Sequence, residues 1–314
     1  MRIALVLTPP TDLHFRLAGQ IGATEYVARY GFVDTPRKLA AERARAESFG
    51  LKLSVVEGYI PLAEIIHGTA GRDAQIANVQ RLIESMGRNG AEVLCYNWMP
   101  NDDWTRTSFE VETRGGALTN EFNLASLGSA LAPPSRRISA EKLWENLAYF
   151  LERVVPVAQS ASVKLAMHPD DPPLPELLGA EQIMHKRESF EKLFALDSSP
   201  ANGMCVCTGT FASLGEDVPA LVRRFGARVH YAHFRDVRGT VPHFVEAFHD
   251  DGKSDMAAMM RAFHDIGFAG AMRPDHVPKL EGEAGRADGY TMLGRLFAVG
   301  YLRGLMHAVE SEGN

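Results

Sequence analysis

Cysteine is scarce. The 314 residues hold three, Cys95, Cys205 and Cys207, and so low and odd a count excludes a disulfide framework and fits a reducing compartment. Long apolar runs are missing too. None approaches the roughly 18 residues that a membrane-spanning helix takes, so no membrane partner is expected. The N-terminus, Met1-Arg2-Ile3-Ala4-Leu5, turns into strand-like sequence at once and meets Pro9-Pro10 soon after. That apolar stretch is too short for a signal peptide, and a cytoplasmic protein is expected. Positive charge is not in excess either. The net charge is −6, and with no basic stripe a nucleic-acid partner or a metal-dependent endonuclease is disfavoured. Internal repeats, low-complexity tracts and a linker that would divide the chain are also absent, so residues 1–314 read as a single domain.

What is present is an alternation. Hydrophobic residues make up 46%, enough for a large core. Short apolar runs recur at Ile3–Leu7, Thr24–Ala28, Leu51–Val56, Val93–Trp98, Val163–Met167, Gly203–Val206, Val229–Ala232 and Phe268–Met272. Helical stretches separate many of them. Pro36–Phe49 is one, with Gly50 at its C-terminal stop; another, expected to be capped by Asp73, carries Ile76, Val79, Leu82, Ile83 and Met86 at helical spacing. Ser139, Asp217 and Asp255 are expected to begin further helices, Pro156 to kink or break one, and Thr291–Val309 to form the last. Eight strands alternating with helices imply a parallel sheet, and in one chain of this length a closed (βα)8 TIM barrel. Residues 101–138 interrupt the rhythm with polar, Gly- and Pro-containing sequence, expected to be an inserted loop that covers the barrel mouth or makes a homo-oligomer contact.

Four of the apolar runs end on a residue that can bind a metal: His168, Cys207, His233 and Asp275. Residues two apart on a strand share a face, so each stands above Ala166, Cys205, Tyr231 or Arg273 in turn. Chemistry in an α/β barrel sits at the C-terminal strand ends. Imidazole, thiolate and carboxylate together suit a first-row divalent ion such as Mn²⁺, Fe²⁺, Co²⁺ or Zn²⁺, acting as a Lewis acid. The bland alternative for each is a packed histidine, a small buried thiol or a helix-capping aspartate. Cys95 and Cys205 are assigned to the core, and His230, of opposite parity to His233, to the helix side of its strand. His243 and His249 are weak candidates near the mouth.

Several segments together resemble the mannonate dehydratase family. They are Cys95-Tyr96-Asn97-Trp98-Met99-Pro100, Asp103-Trp104-Thr105-Arg106-Thr107, the His-Pro-Asp-Asp-Pro-Pro run from His168, Cys207-Thr208-Gly209, His233-Phe234-Arg235 and Met272-Arg273-Pro274-Asp275-His276. The resemblance implies a xylose-isomerase-like barrel that dehydrates D-mannonate to 2-keto-3-deoxy-D-gluconate with one Mn²⁺ or Fe²⁺. It implies His168, Cys207, His233 and Asp275 as ligands and His276 with Tyr290 as the acid–base pair, without saying which is which. Asn97, Arg106, Arg235 and Arg273 are candidates to hold the sugar acid, the arginines by two-pronged contact with its carboxylate. Structural ion pairs are the alternative reading of those arginines. A sugar isomerase or epimerase on the same metal-containing barrel, and a non-catalytic sugar-acid-binding barrel, are the competing functions.

Overall fold

The computed structural model describes residues 1–101, 104–128, 133 and 136–312. Its strands are β1 (Arg2–Val6), β2 (Glu25–Arg29), β3 (Lys52–Glu57), β4 (Val93–Tyr96), β5 (Ser108–Glu112), β6 (Leu118–Asn123), β7 (Lys164–Met167), β8 (Glu176–Leu177), β9 (Ala180–Glu181), β10 (Asn202–Cys207), β11 (Val229–Phe234), β12 (Val237–Thr240), β13 (His243–Glu246) and β14 (Ala271–Pro274). Eight of them close a parallel barrel in the order β1-β14-β11-β10-β7-β4-β3-β2. These are the eight runs expected from the sequence. They are rich in apolar residues because a barrel strand is buried on both faces.

The inward face is built of small residues. Ala4, Val27, Val55, Val93, Ala166 and Ala271 pack there with Cys95, Cys205 and Tyr231. The outward face meets the helices in one continuous core that includes Leu5, Leu53, Leu165, Met204 and Met272. Parity therefore holds. Ala166, Cys205 and Tyr231 lie in the interior, and the residues two places on, His168, Cys207 and His233, stand above them at the C-terminal rim.

Helices begin as expected at Ser139, Asp217 and Asp255, whose side chains cap them by accepting from Lys142 N, Ala220 N and Ala258 N. Two expectations differ. The helix Arg72–Arg88 begins after Gly71, so Asp73 lies in its first turn and caps nothing. The helix Ala140–Ser160 continues through Pro156 without a break, held on both sides by buried Phe150, Leu151, Val154, Val155 and Ala158. Among the described residues, no helix is long and apolar enough to cross a membrane.

The segment 101–138 is a loop only in part. Of it, residues 102–103, 129–132 and 134–135, which include Asp103, lie outside the described residues. The rest contains the hairpin β5–β6, which pairs with β13 in a four-stranded antiparallel sheet, order β12-β13-β6-β5. Phe122 and Phe244 pack across it, ring centroids 5.9 Å apart. A bridge from Leu118 to Lys279 ties this sheet to the loop after β14.

Candidate active site

The strand ends bring His168, Cys207 and His233 together. All three are buried, and their ligand atoms lie within 4.8 Å of one another. Asp275 borders this group, its Oδ2 4.0 Å from Cys207 Sγ and 3.6 Å from His233 Nδ1. His168 Nδ1 donates to Pro169 O at 2.6 Å. A carbonyl can only accept, so the lone pair of neutral His168 is on Nε2, the tautomer a metal-binding histidine held by a backbone carbonyl has. Burial alone would raise the Cys207 thiol. The Arg235 guanidinium, whose Nε donates to the sulfur at 3.2 Å, outweighs it with help from His168 and His233 and holds the thiol well below its ordinary value. A buried thiolate beside two imidazoles and a carboxylate is a donor set that fits a divalent first-row ion.

His276 and Tyr290 flank that group. His276 has a left-handed backbone, φ +31°, a costly conformation for a residue with a side chain. Gly289 makes room for it, since a Cβ there would come within 2.8 Å of His276 Cα. His276 Nδ1 lies 3.0 Å from Glu246 Oε1 and 3.2 Å from Arg106 Nη2. The two Nη2 protons of Arg106 go to Asp171 and Glu246. The imidazole therefore donates from Nδ1 to Glu246, which leaves Nε2 with the lone pair. Trp104 packs on the ring at 5.0 Å between centroids. Tyr290 Oη donates to Asp275 Oδ1 at 3.2 Å, and the Arg29 guanidinium lies 4.7 Å from its ring centroid. Burial and then Asp275 push the phenol above its ordinary value, against the lowering by Arg29 and Arg273.

The three arginines named from the sequence are all engaged in ion pairs. Arg106 grips Asp171 with two donors, 2.8 and 3.1 Å, and its Nε donates to Asn120 Oδ1 at 2.9 Å. Arg235 bonds Asp171 at 2.8 Å, and also Thr210 and Glu246. Arg273 pairs with Glu57 at 2.9 Å and Asp275 at 2.5 Å. Burial opposes ionisation of Asp171 and Glu246, but the arginines outweigh it, and Glu246 is pulled down to about 2. All three are thus held in ion pairs, and Arg273 also borders the small buried cavity of the site. Asn97 lines the small cavity, about 50 Å³, that Cys95, His168, His233 and Tyr290 also border. A wider cleft of about 700 Å³, walled by Arg29, Tyr59, Trp104 and Tyr290, opens beside it. His243 instead pairs with Glu121 on the accessory sheet, and buried His249 donates to Phe234 O.

Four residues of this site were not singled out from the sequence. Glu57 closes β3 and accepts from His233 Nε2 at 3.0 Å; it obeys the same strand-end rule as the others. Asp171 lies inside the His-Pro-Asp-Asp run. Arg29 ends β2. Glu246 comes from β13, whose partners are remote in sequence, and carries no local signal.

The family model for D-mannonate dehydratase (UxuA) matches residues 28–132 and 124–314. A mannonate dehydratase of Oceanobacillus iheyensis is 36% identical over 315 residues, covering 91% of this chain and 89% of its own. Mannonate dehydratase 2 of Halalkalibacterium halodurans is 35% identical, with 91% of each chain covered. The crystal structure of a mannonate dehydratase from Streptococcus suis serotype 2 superposes with a TM-score of 0.93 at 28% identity, covering 100% of this chain and 96% of that one. A D-psicose 3-epimerase from Clostridium cellulolyticum H10, at 11% identity and TM-score 0.65, shares the barrel fold alone.

Proposed function

The chain belongs to the D-mannonate dehydratase family, and from that premise we propose that it is a hydro-lyase converting D-mannonate to 2-keto-3-deoxy-D-gluconate and water. The observation that carries the reading is the joint one. A buried imidazole–thiolate–imidazole group bordered by Asp275 lies next to two proton-transfer groups of different kind, His276 and Tyr290.

His168, Cys207, His233 and Asp275 would hold one Mn²⁺ or Fe²⁺. Such an ion would supply Lewis acidity, making the weakly acidic C2 proton of the sugar acid easier to remove. His276 is the base in this scheme. Its Nδ1–H donation to Glu246 supports that role, because it keeps Nε2 as the acceptor for the C2 proton. Tyr290 is the acid. Its hydroxyl, already a donor to Asp275, protonates the C3 oxygen as water departs. Trp104 over His276 shields this exchange from bulk water. Arg106 and Arg235 act through Glu246 and Asp171, fixing the histidine rather than touching the sugar.

The test is incubation of Mn²⁺-loaded protein with D-mannonate and a keto-acid assay of the product. Formation of the 3-deoxy-2-keto acid supports the proposal, whereas a rearranged aldonate without loss of water would point to an epimerase. Elemental analysis of protein purified without chelator should find one such ion per chain. A Cys207→Ser variant retaining full Mn²⁺ occupancy would remove Cys207 from the ligand set.

A further inference from the structure

Beneath the outer group lies a second trio. Cys205 is two residues before Cys207 on the same face of β10, and Cys95 on β4 is level with Ala166, one layer below His168. Cys95, Cys205 and His233 are all buried, with ligand atoms within 4.8 Å of one another. We propose that this trio is an inner metal site for a thiophilic divalent ion, zinc or cadmium, and that filling it withdraws His233 from the outer site.

Three observations carry this. First, the two thiols converge in the barrel interior among aliphatic Val93, Ala166 and Val55, with the ring of Tyr231 beside them. Two sulfurs and an imidazole form a set that soft ions select over Mn²⁺. Second, the cavity of about 50 Å³ that reaches His168 and Asp275 also touches Cys95, Glu57 and His233, so an ion arriving at the outer site has a path inward. Third, His233 has a carboxylate on each side, Asp275 Oδ2 3.6 Å from Nδ1 and Glu57 Oε2 3.0 Å from Nε2. With Nε2 donating to Glu57 the neutral ring has a single lone pair, so it serves one ion at a time, and an ion held by Cys95 and Cys205 competes with the outer site for it. As each sulfur takes up the ion it releases its proton to solvent, so binding of one divalent ion frees up to two protons.

The site does not depend on which sugar acid is turned over, and its test needs no substrate. Metal-free protein is titrated with Cd²⁺, and the ultraviolet thiolate-to-cadmium band is followed in the natural protein, Cys207→Ser, Cys205→Ala and Cys95→Ala. The expected result is that Cys207→Ser keeps a two-thiolate band, while either inner substitution thins it and weakens Cd²⁺ binding by roughly tenfold or more. Zinc inhibition of Mn²⁺-loaded enzyme should weaken by a similar factor in Cys205→Ala. A band that disappears in Cys207→Ser overturns the proposal and leaves Cys95 and Cys205 as packing. That arm alters neither inner thiol, so it decides the matter even if an inner variant does not fold.

Discussion

Removing one oxygen from Tyr290 separates its two jobs. The ring packs under Arg29 and edge-on to His276, 5.5 Å between centroids, and Tyr290→Phe keeps both contacts. Only the hydroxyl that donates to Asp275 is lost. If that hydroxyl delivers the proton, turnover falls by roughly 10²-fold or more with metal content and folding unchanged. Near-normal turnover of D-mannonate would leave His276 to act without it. Glu246→Gln tests the other half of the pair. It keeps the size of the side chain but removes the charge that takes the His276 proton and faces Arg106 and Arg235. The turnover number should drop about tenfold or more with little change in KM, because the imidazole loses its fixed tautomer rather than a substrate contact. Two buried guanidiniums also lose a partner, and unfolding free energy should fall by about 3–5 kcal/mol in a urea titration. An unchanged turnover number would show that Glu246 serves only the arginines.

At the scale of elements, the barrel was legible and its cover was not. The eight barrel strands announced themselves because burial on both faces demands runs rich in apolar residues, and the candidate ligands His168, Cys207 and His233 stand where parity put them, directly above Ala166, Cys205 and Tyr231. The antiparallel sheet obeys a weaker rule. Phe109 and Val111 alternate with polar residues before Gly115-Gly116, a hairpin signal, yet the polar and glycine content of 101–138 reads equally as loop. Its cohesion rests on Phe122 meeting Phe244 and on Leu118 meeting Lys279, pairings no local pattern encodes. For the same reason Glu246 was invisible: it reaches His276 from a strand of another sheet. The loop from β14 to the last helix can be tested through Gly289. It has φ +92°, and any Cβ presses on the His276 backbone. Gly289→Ala should lower turnover on the order of 10²-fold by displacing the imidazole, with the circular dichroism spectrum unchanged. Full activity would show that His276 is positioned from elsewhere.

On the scale of the whole molecule, the outward face of the same strands ties stability to pH. His230, of opposite parity to His233, is buried, and its Nδ1 donates to Leu165 O at 2.7 Å. Its ring occupies the space beside Gly203, where a Cβ would come within 2.3 Å of it. Burial, the largest cause, pushes this imidazole down to about 4, against a partial rise from the Leu165 carbonyl. The sign follows from which state takes up the proton. Between the ordinary histidine value near 6.5 and about 4, the unfolded chain binds a proton that the folded chain refuses. The His230 contribution is therefore complete above that window and is lost as pH falls through it. Other buried groups titrate over the same range in both directions, so a comparison of variants isolates this one. His230→Gln keeps an N–H for Leu165 O and cannot titrate. The difference in unfolding free energy between the natural protein and His230→Gln should shift by about 2 kcal/mol against the natural protein on going from about pH 7 to about pH 5. Urea unfolding at the two values measures it. A difference that stays constant would mean that His230 accepts its proton inside the fold, and that the helix-side layer of the barrel admits charge as readily as water does.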